Sequence, residues 1–267
     1  MVDFQCKSRY GWDDLAEIIR ILRAPGGCPW DAEQTHLSIR RNFLEETYEV
    51  LDALDRDDPH DMCEELGDVL MQVVFHAQIE REQGRFTMED VIDGVAQKMV
   101  FRHPHVFADT KADTSDQVLV NWEILKRQEK GQRSTADAIE SVPHTLPALW
   151  RAEKLQNKTA KVGFTYTETV EALRHLEQEV RELREALESG KAADAPHGVK
   201  EEVGDVLFMA CVVARMEGVE AEEALHCACD KFNGRFRAVE ENAGKPLEEC
   251  SKEELLALWK KAKELES

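Results

Sequence analysis

Two acidic segments of the sequence share one pattern, in which a glutamate is followed three residues later by an aspartate: Glu65-Leu66-Gly67-Asp68 and Glu202-Val203-Gly204-Asp205. Residues three apart lie on the same face of a helix, so each pattern places two carboxylates about one turn apart. Steps of four and seven residues from Asp205 reach Met209 and Val212, which puts its carboxylate within an apolar stripe. A carboxylate that faces a core needs a cationic partner, because an unpaired buried charge is very unfavourable.

Each segment is preceded by a second pair of glutamates, Glu46 and Glu49 in the first half and Glu179 and Glu182 in the second. Each half therefore supplies four carboxylates on two neighbouring helices. A site made only of oxygen ligands suits hard cations, so we predict Mg²⁺, with Mn²⁺ as the alternative. The two predicted quartets are Glu46, Glu49, Glu65 and Asp68, and Glu179, Glu182, Glu202 and Asp205.

Paired basic residues follow each quartet. Lys98 and Arg102 in the first half have the same spacing as Lys231 and Arg235 in the second. A lysine and an arginine one helical turn apart, near a Mg²⁺ site, are suited to holding phosphate oxygens. The recurrence of both acidic and basic patterns indicates a duplicated domain.

The composition of the 267-residue chain limits the partners that it can bind. Its net charge is −20, which disfavours nucleic acid and anionic membranes. No segment approaches the 18 or more uninterrupted apolar residues of a membrane span. The seven cysteines form no Cys-x-x-Cys pair, so we expect reduced thiols and a cytoplasmic location.

Glycine and proline are sparse, at 14 and 8 residues, which favours helices. We predict an all-α protein made of two tandem helical bundles. The N-terminal domain is predicted over residues 1–133 and the C-terminal domain over 148–267. The segment 134–147, which is small, polar and contains two prolines, is predicted as the linker.

Two other functions are compatible with acidic helices. A di-iron carboxylate bundle uses Glu-x-x-His helices, and the sequence contains Glu33-x-x-His36 and Glu223-x-x-His226, neither of which coincides with a quartet. A non-catalytic acidic interaction module is the second alternative.

The sequence resembles the long, duplicated form of the MazG family of nucleoside triphosphate pyrophosphohydrolases. The resemblance covers almost the whole chain and depends on the two quartets and on three further motifs. These motifs are Gly27-Cys28-Pro29-Trp30-Asp31, Arg102-His103-Pro104-His105-Val106-Phe107-Ala108-Asp109 and Leu146-Pro147-Ala148-Leu149. One departure is Gln178, where the family pattern has a glutamate, so the residue at that position has no carboxylate to transfer a proton.

The resemblance implies tandem MazG-like all-α domains, a homodimer, and hydrolysis of nucleoside triphosphates to a monophosphate and pyrophosphate, as in cleaning of the nucleotide pool. It also implies that the C-terminal repeat carries hydrolysis, with Glu179, Glu182, Glu202 and Asp205 as the metal-binding and catalytic residues. By the same resemblance, the residues that contact the nucleotide are Lys154, Lys231, Arg235 and Trp259. The N-terminal repeat is expected to be a second site or a scaffold, with Glu46, Glu49, Glu65, Asp68, Lys98 and Arg102 as the corresponding residues.

Overall fold

The computed structural model describes residues 4–190 and 192–265, and all regular secondary structure within them is helical. The all-α prediction is therefore confirmed. The chain divides into two compact units after Lys126.

The helices of the first unit follow one another through short turns. They are α1 (Trp12–Arg23), α2 (Pro29–Glu33), α3 (Arg40–Asp55), α4 (Pro59–Glu82), α5 (Met88–Arg102), α6 (Pro104–Phe107) and α7 (Ser115–Glu129), the last of which extends past the division. The antiparallel pair α3 and α4 carries the first quartet, and α1 packs against α4. Their shared core contains Ile19, Ile39, Val74, Phe75 and Ile79.

Local sequence signals set the limits of α4, the longest helix of this unit. The side chain of Asp58 accepts hydrogen bonds from the backbone N–H groups of His60 and Asp61, at 3.0 and 3.1 Å. Pro59 occupies the first turn, where a missing N–H has no consequence. Gly84 follows the last turn with a φ of 66°, in the left-handed region that glycine adopts most readily.

A polar network ties the loop before α3 to α4. His36 Nδ1 lies 2.7 Å from His76 Nδ1, and His36 Nε2 lies 2.5 Å from Glu80 Oε1. Arg85 makes a bidentate ion pair with the buried carboxylate of Glu80. Hydrogen bonds from Arg85 are the main reason that the pKa of Glu80 is lowered to about 2, and His36 adds to the effect.

The second unit contains the rest of the helices. They are α8 (Thr135–Glu140), α9 (Ala148–Ala160), α10 (Thr169–Glu188), α11 (Val199–Met216), α12 (Ala221–Asn242), a 3₁₀ turn (Leu247–Glu249) and α13 (Lys252–Leu265). The pair α10 and α11 is the counterpart of α3 and α4, and its core contains Ala172, Met209 and Val212. Helix α12 packs chiefly against α13 and α9.

The segment predicted as a linker, 134–147, contains α8, which packs against α9. A capping box begins α8, because Ser134 Oγ accepts from the Asp137 N–H and the Asp137 carboxylate accepts from the Ser134 N–H, both at 3.0 Å. The division of the chain at Lys126 lies before this segment. The domain limits 1–133 and 148–267 stay a prediction.

Candidate metal and phosphate site

Three carboxylates of the second quartet come together between α10 and α11. Ligand atoms of Glu179, Glu202 and Asp205 all lie within 4.8 Å of one another. Glu179 comes from α10, and the other two residues are one turn apart on α11, as the spacing predicts. Glu202 is only 5% exposed, whereas Asp205 lies at the surface. The apolar stripe predicted beyond Asp205 is present, since Met209 and Val212 are buried.

The electrostatics of this group favour a bound cation. Burial raises the pKa of Glu179, and the neighbouring carboxylates of Glu182, Asp205 and Glu202 raise it further. A divalent cation would remove this repulsion by accepting the oxygens as ligands. The donor set therefore fits Mg²⁺ or Mn²⁺.

Glu182 is the one member of the second quartet outside the group of three. It lies one turn after Glu179 on α10, and its Oε1 accepts a hydrogen bond of 2.8 Å from Gln178 Nε2. Glu182 and Glu202 both line a cavity of about 430 Å³ at this end of the two helices. Glu182 is therefore placed beside the cluster, on a cavity that can hold water.

His197 is a site residue that sequence reasoning missed. Its Nδ1 lies 3.9 Å from Glu202 Oε1, and the residue lines the same cavity. His197 has a φ of 53° and precedes Gly198, where a Cβ would lie 2.6 Å from the Ala193 carbonyl oxygen. The histidine between a proline and a glycine just before α11, in Pro196-His197-Gly198, was the one sign of this residue in the sequence. A loop has no regular repeat of residues, so the sequence does not predict where its side chains point.

The predicted nucleotide-binding residues of this unit lie on three other helices. Lys154 is on α9, with its Nζ 5.3 Å from the centre of the Trp150 ring. On α12, Lys231 is exposed and Arg235 is half-buried. Trp259, on α13, is half-buried, and its ring centre is 5.1 Å from that of Phe232. The structure therefore connects Trp259 to the helix that carries the basic pair.

The first quartet forms a similar group between α3 and α4. Ligand atoms of Glu46, Glu49 and Glu65 lie within 4.8 Å of one another. Burial is the largest cause of the raised pKa values of Glu46 and Glu65, and Asp68 adds repulsion in both cases. One oxygen of Glu65 is buried without a hydrogen-bond partner, which is a position that a cation could fill. This donor set also fits a hard divalent cation.

The basic pair of the first unit has a different environment. Arg102 is only 8% exposed, and its guanidinium carbon lies 5.1 Å from the centre of the Trp122 ring. Lys98 is exposed on α5. Arg102, predicted as half of a second phosphate clamp, is thus held within the packing of its own unit.

The described residues contain two such groups of candidate ligands, and both consist of carboxylates alone. The histidines of the two Glu-x-x-His segments, His36 and His226, belong to neither group. This arrangement favours hard-cation chemistry over the di-iron alternative, which needs histidine ligands. Among the described residues, no helix is both long enough and apolar enough to cross a membrane.

Fold and clusters together define a duplicated all-α protein with a carboxylate cluster in each half. The chain matches the MazG nucleotide pyrophosphohydrolase domain over residues 34–107 and again over 168–239. It therefore belongs to the MazG family, and the predicted resemblance and tandem arrangement are confirmed.

Three relatives extend this comparison over most of the chain. The nucleoside triphosphate pyrophosphohydrolase of Escherichia coli (strain K12) is 44% identical over 229 residues, which are 85% of this chain and 86% of the relative. The nucleoside triphosphate pyrophosphohydrolase/pyrophosphatase MazG of Thermotoga maritima is 41% identical over 94% of this chain and 95% of its own length. The uncharacterised protein YabN of Bacillus subtilis is 47% identical over 93% of this chain, which spans about half of YabN (51%).

Proposed function

We propose that the protein is a metal-dependent nucleoside triphosphate pyrophosphohydrolase that releases a nucleoside monophosphate and pyrophosphate. The observation that carries this proposal is the group formed by Glu179, Glu202 and Asp205, with Glu182 beside it. Membership of the MazG family and the names of the relatives from E. coli and T. maritima support the same reaction.

In this proposal, Glu179, Glu182, Glu202 and Asp205 hold Mg²⁺, or Mn²⁺ as the alternative. When bound, the cation neutralises triphosphate oxygens and lowers the pKa of a water molecule. Glu182 orients or deprotonates the attacking water, because its carboxylate borders the cavity and accepts a hydrogen bond from Gln178.

The basic residues bind the rest of the substrate. Lys231 and Arg235 neutralise charge that develops on the leaving pyrophosphate, and Lys154 adds a further cation from α9. In a protein of net charge −20, such local cations are needed to attract a triphosphate. Trp259, whose ring lies beside that of Phe232 on α12, contacts the nucleotide by the family resemblance and is the residue we propose for stacking on the base.

We further propose a homodimer. Many large apolar side chains on the paired helices remain exposed, which is typical of a surface that another subunit covers. They include Leu173 and Val180 on α10 and Val203 and Leu207 on α11. Leu66 and Leu70 are exposed at the corresponding places on α4, and Tyr48 and Leu51 are exposed on α3. Sedimentation equilibrium checks this point, and a monomer at micromolar concentration would contradict it.

A cytoplasmic location and a role in cleaning the nucleotide pool complete the proposal. The experiment that tests the activity is incubation with a panel of ribo- and deoxyribonucleoside triphosphates and Mg²⁺ in ¹⁸O-labelled water, with products identified by mass. Monophosphate and pyrophosphate are expected, and the label shows which phosphorus is attacked. Absence of turnover with every nucleotide and both metals would favour the interaction-module alternative.

A further inference from the structure

The second unit contains a second cavity, separate from the one beside Glu182. It has a volume of about 440 Å³ and lies between α9, the segment 163–166 and α11. Its walls are mainly aliphatic and aromatic, with Leu155, Phe164 and Val212 among them. Cavities of roughly 300–1,000 Å³ with such walls are typical of small-molecule sites. None of the residues that we propose for the metal or the nucleotide lines this cavity.

One polar side chain in the wall is buried and only half satisfied. Gln156 is 5% exposed, and its Nε2 donates a hydrogen bond of 2.9 Å to the backbone carbonyl of Phe208. Its Oε1 is buried without a hydrogen-bond partner. Because buried polar atoms of proteins are nearly always hydrogen-bonded, this oxygen is suited to accept from an N–H or O–H group of a ligand.

A guanidinium group lies in the same wall without a carboxylate beside it. Arg215 Nη2 donates to Thr165 Oγ1 at 2.9 Å, and its Nε is buried without a hydrogen-bond partner. Within residues 4–190 and 192–265, no carboxylate forms an ion pair with Arg215, although the chain has a net charge of −20. The charge of this guanidinium is therefore suited to an anionic group from outside the chain.

The two polar groups belong to different ends of the cavity. Gln156 contacts the backbone at Phe208, and Arg215 begins seven residues later on the same helix, α11. At a rise of about 1.5 Å per residue, the two α11 positions are roughly 10 Å apart along the helix axis. Met209 and Val212, which lie between them, add apolar wall. A ligand that meets both polar groups thus needs an anion at one end, a hydrogen-bond donor at the other and an apolar body.

We propose that this cavity binds a small organic carboxylate with an apolar body and a terminal N–H or O–H donor. The carboxylate pairs with Arg215, the donor meets Gln156 Oε1, and the body packs against the aliphatic and aromatic wall. A carboxylate carries one charge, which one guanidinium neutralises, whereas a phosphate monoester carries about −1.5 to −2 at pH 7. The site is independent of hydrolysis, because it uses neither metal nor phosphate.

The test is a ligand-detected NMR titration of the whole chain with 4-hydroxyphenylacetate, whose hydroxyl and carboxylate lie at opposite ends of an aromatic ring. Phenylacetate lacks the donor, and 4-hydroxybenzyl alcohol lacks the charge. We expect phenylacetate to bind about 3- to 10-fold more weakly, and the alcohol more weakly still, because a hydrogen bond to a charged group contributes more than a neutral one. Failure of 4-hydroxyphenylacetate to bind the wild type at millimolar concentration would overturn the proposal.

The arginine is tested by a pair of substitutions. Arg215→Met removes the charge and should weaken binding of 4-hydroxyphenylacetate about 10-fold or more, whereas Arg215→Lys keeps the charge and should lose less. Arg174→Met, at an exposed position of α10 outside the cavity, is the matched control and should bind as the wild type does. Equal affinity of the wild type and Arg215→Met would overturn the proposal.

The glutamine is tested by comparing two ligands on one variant. Gln156→Met should weaken 4-hydroxyphenylacetate about 3- to 10-fold and leave phenylacetate unchanged, because phenylacetate has no donor for the lost oxygen. A misfolded variant would lose both ligands, so this comparison separates contact from folding. A matched loss of both ligands by a variant that keeps the thermal unfolding of the wild type would overturn the contact with Gln156. Leu155→Trp, which fills the cavity, should abolish binding of both.

A last comparison separates this site from the proposed hydrolysis. Asp205→Asn, which we expect to lose activity, should bind 4-hydroxyphenylacetate as the wild type does. Inorganic tripolyphosphate in Mg²⁺ should not displace the carboxylate from the wild type. Displacement would place 4-hydroxyphenylacetate at the carboxylate cluster and overturn the separate site, whatever the result of the hydrolysis assay.

Discussion

The two units present the same carboxylate pattern in different basic surroundings. In the first unit, Arg102 packs against Trp122 and is nearly buried. In the second, Lys231 is exposed and Arg235 is only half-buried. A group of three carboxylates is therefore present in both units, while the arginine of the first unit packs against an aromatic ring. We expect catalysis to depend on the basic residues around the carboxylates as well as on the carboxylates themselves.

The two units also differ at the residue just before the first glutamate of each quartet, which is Glu45 in the first unit and Gln178 in the second. In the first unit, Glu45 accepts a hydrogen bond of 2.7 Å from Arg41, away from the cluster. In the second, Gln178 donates to Glu182, the carboxylate beside the cluster. The amide adds no negative charge to a group that is already crowded with carboxylates. The neutral amide of Gln178 therefore donates a hydrogen bond to Glu182 and does not compete with it for protons.

The largest expected effect is the loss of activity when one carboxylate of the second unit is removed, compared with the same change in the first unit. Asp205→Asn should lower kcat/KM for nucleoside triphosphates by more than about 100-fold, because even residues that only support metal ligands contribute 10- to 100-fold. Asp68→Asn, the change at the corresponding sequence position of the first unit, should leave most of the activity, although Asp68 lies outside the group of Glu46, Glu49 and Glu65. Steady-state kinetics at fixed salt and Mg²⁺ compare the two, and the reverse order would move the catalytic site to Glu46, Glu49, Glu65 and Asp68.

A smaller effect is expected from the exposed lysines. Lys231→Met should reduce kcat/KM about 10-fold, the scale for losing a hydrogen bond to a charged group, and Lys98→Met should change it little. The measurement is the same kinetic assay at low and high salt, because screening should narrow the gap between wild type and Lys231→Met. Equal losses in the two variants would show that both units contribute to turnover.

Metal binding can be separated by unit through thermal unfolding. If both clusters bind Mg²⁺, excess metal should stabilise each unit, by about 2.7 kcal/mol at 100 times its dissociation constant. Glu179→Gln should remove the shift of the second unit and keep that of the first, and Glu46→Gln should do the opposite. Calorimetric scans in chelator and in Mg²⁺ resolve this, and unchanged shifts in both variants would show that the metal binds elsewhere.

The smallest expected effect concerns pH in the absence of metal. Glu179 has a pKa above its ordinary value of 4.5 in the folded protein, so the folded state binds more protons than the unfolded state between the two pKa values. The contribution of Glu179 to the free energy of unfolding of the wild type therefore increases as pH falls through its folded pKa, and it is lower at neutral pH. In chelator, Glu179→Gln should be more stable than wild type at pH 7, and this advantage should disappear by about pH 4.5.

A control for this pH experiment is Glu188→Gln, at the exposed end of α10. Its stability should follow that of the wild type at every pH. Denaturant titrations from pH 4.5 to 8 provide the free energies of unfolding. A constant difference between Glu179→Gln and wild type across this range would mean that charge repulsion in the cluster is not the cause.

The helices and the pairing of carboxylates were predictable because they depend on short-range spacing. Three residues along a helix bring Glu202 and Asp205 to one face in any surroundings. The helix α8 was not predicted, since the small and polar residues of 134–147 indicated a linker. His197 and Arg102 were not predictable in this way. The first lies in a loop, and the burial of the second depends on Trp122, a residue on another helix.

The glycines within the acidic segments show the same limit. Glycine inside a helix is unfavourable by about 1 kcal/mol relative to alanine, so its presence in both units suggests a close approach to the backbone. Around both Gly67 and Gly204, however, a Cβ would meet no atom of the described chain within 4 Å. Crowding within a unit therefore does not account for these glycines.

The packing of Arg102 beneath Trp122 bears on which fragment of the chain can fold by itself. The first match to the MazG domain ends at residue 107, whereas Trp122 lies on α7, fifteen residues later by number. The ring of Trp122 also lies 4.9 Å from that of His103, so it covers the end of α5. A fragment that ends at residue 107, where the sequence match ends, would lack Trp122 and would expose the guanidinium of Arg102. We therefore expect the unit that folds by itself to extend beyond the stretch that matches the MazG domain, so a fragment that ends after α7 should fold.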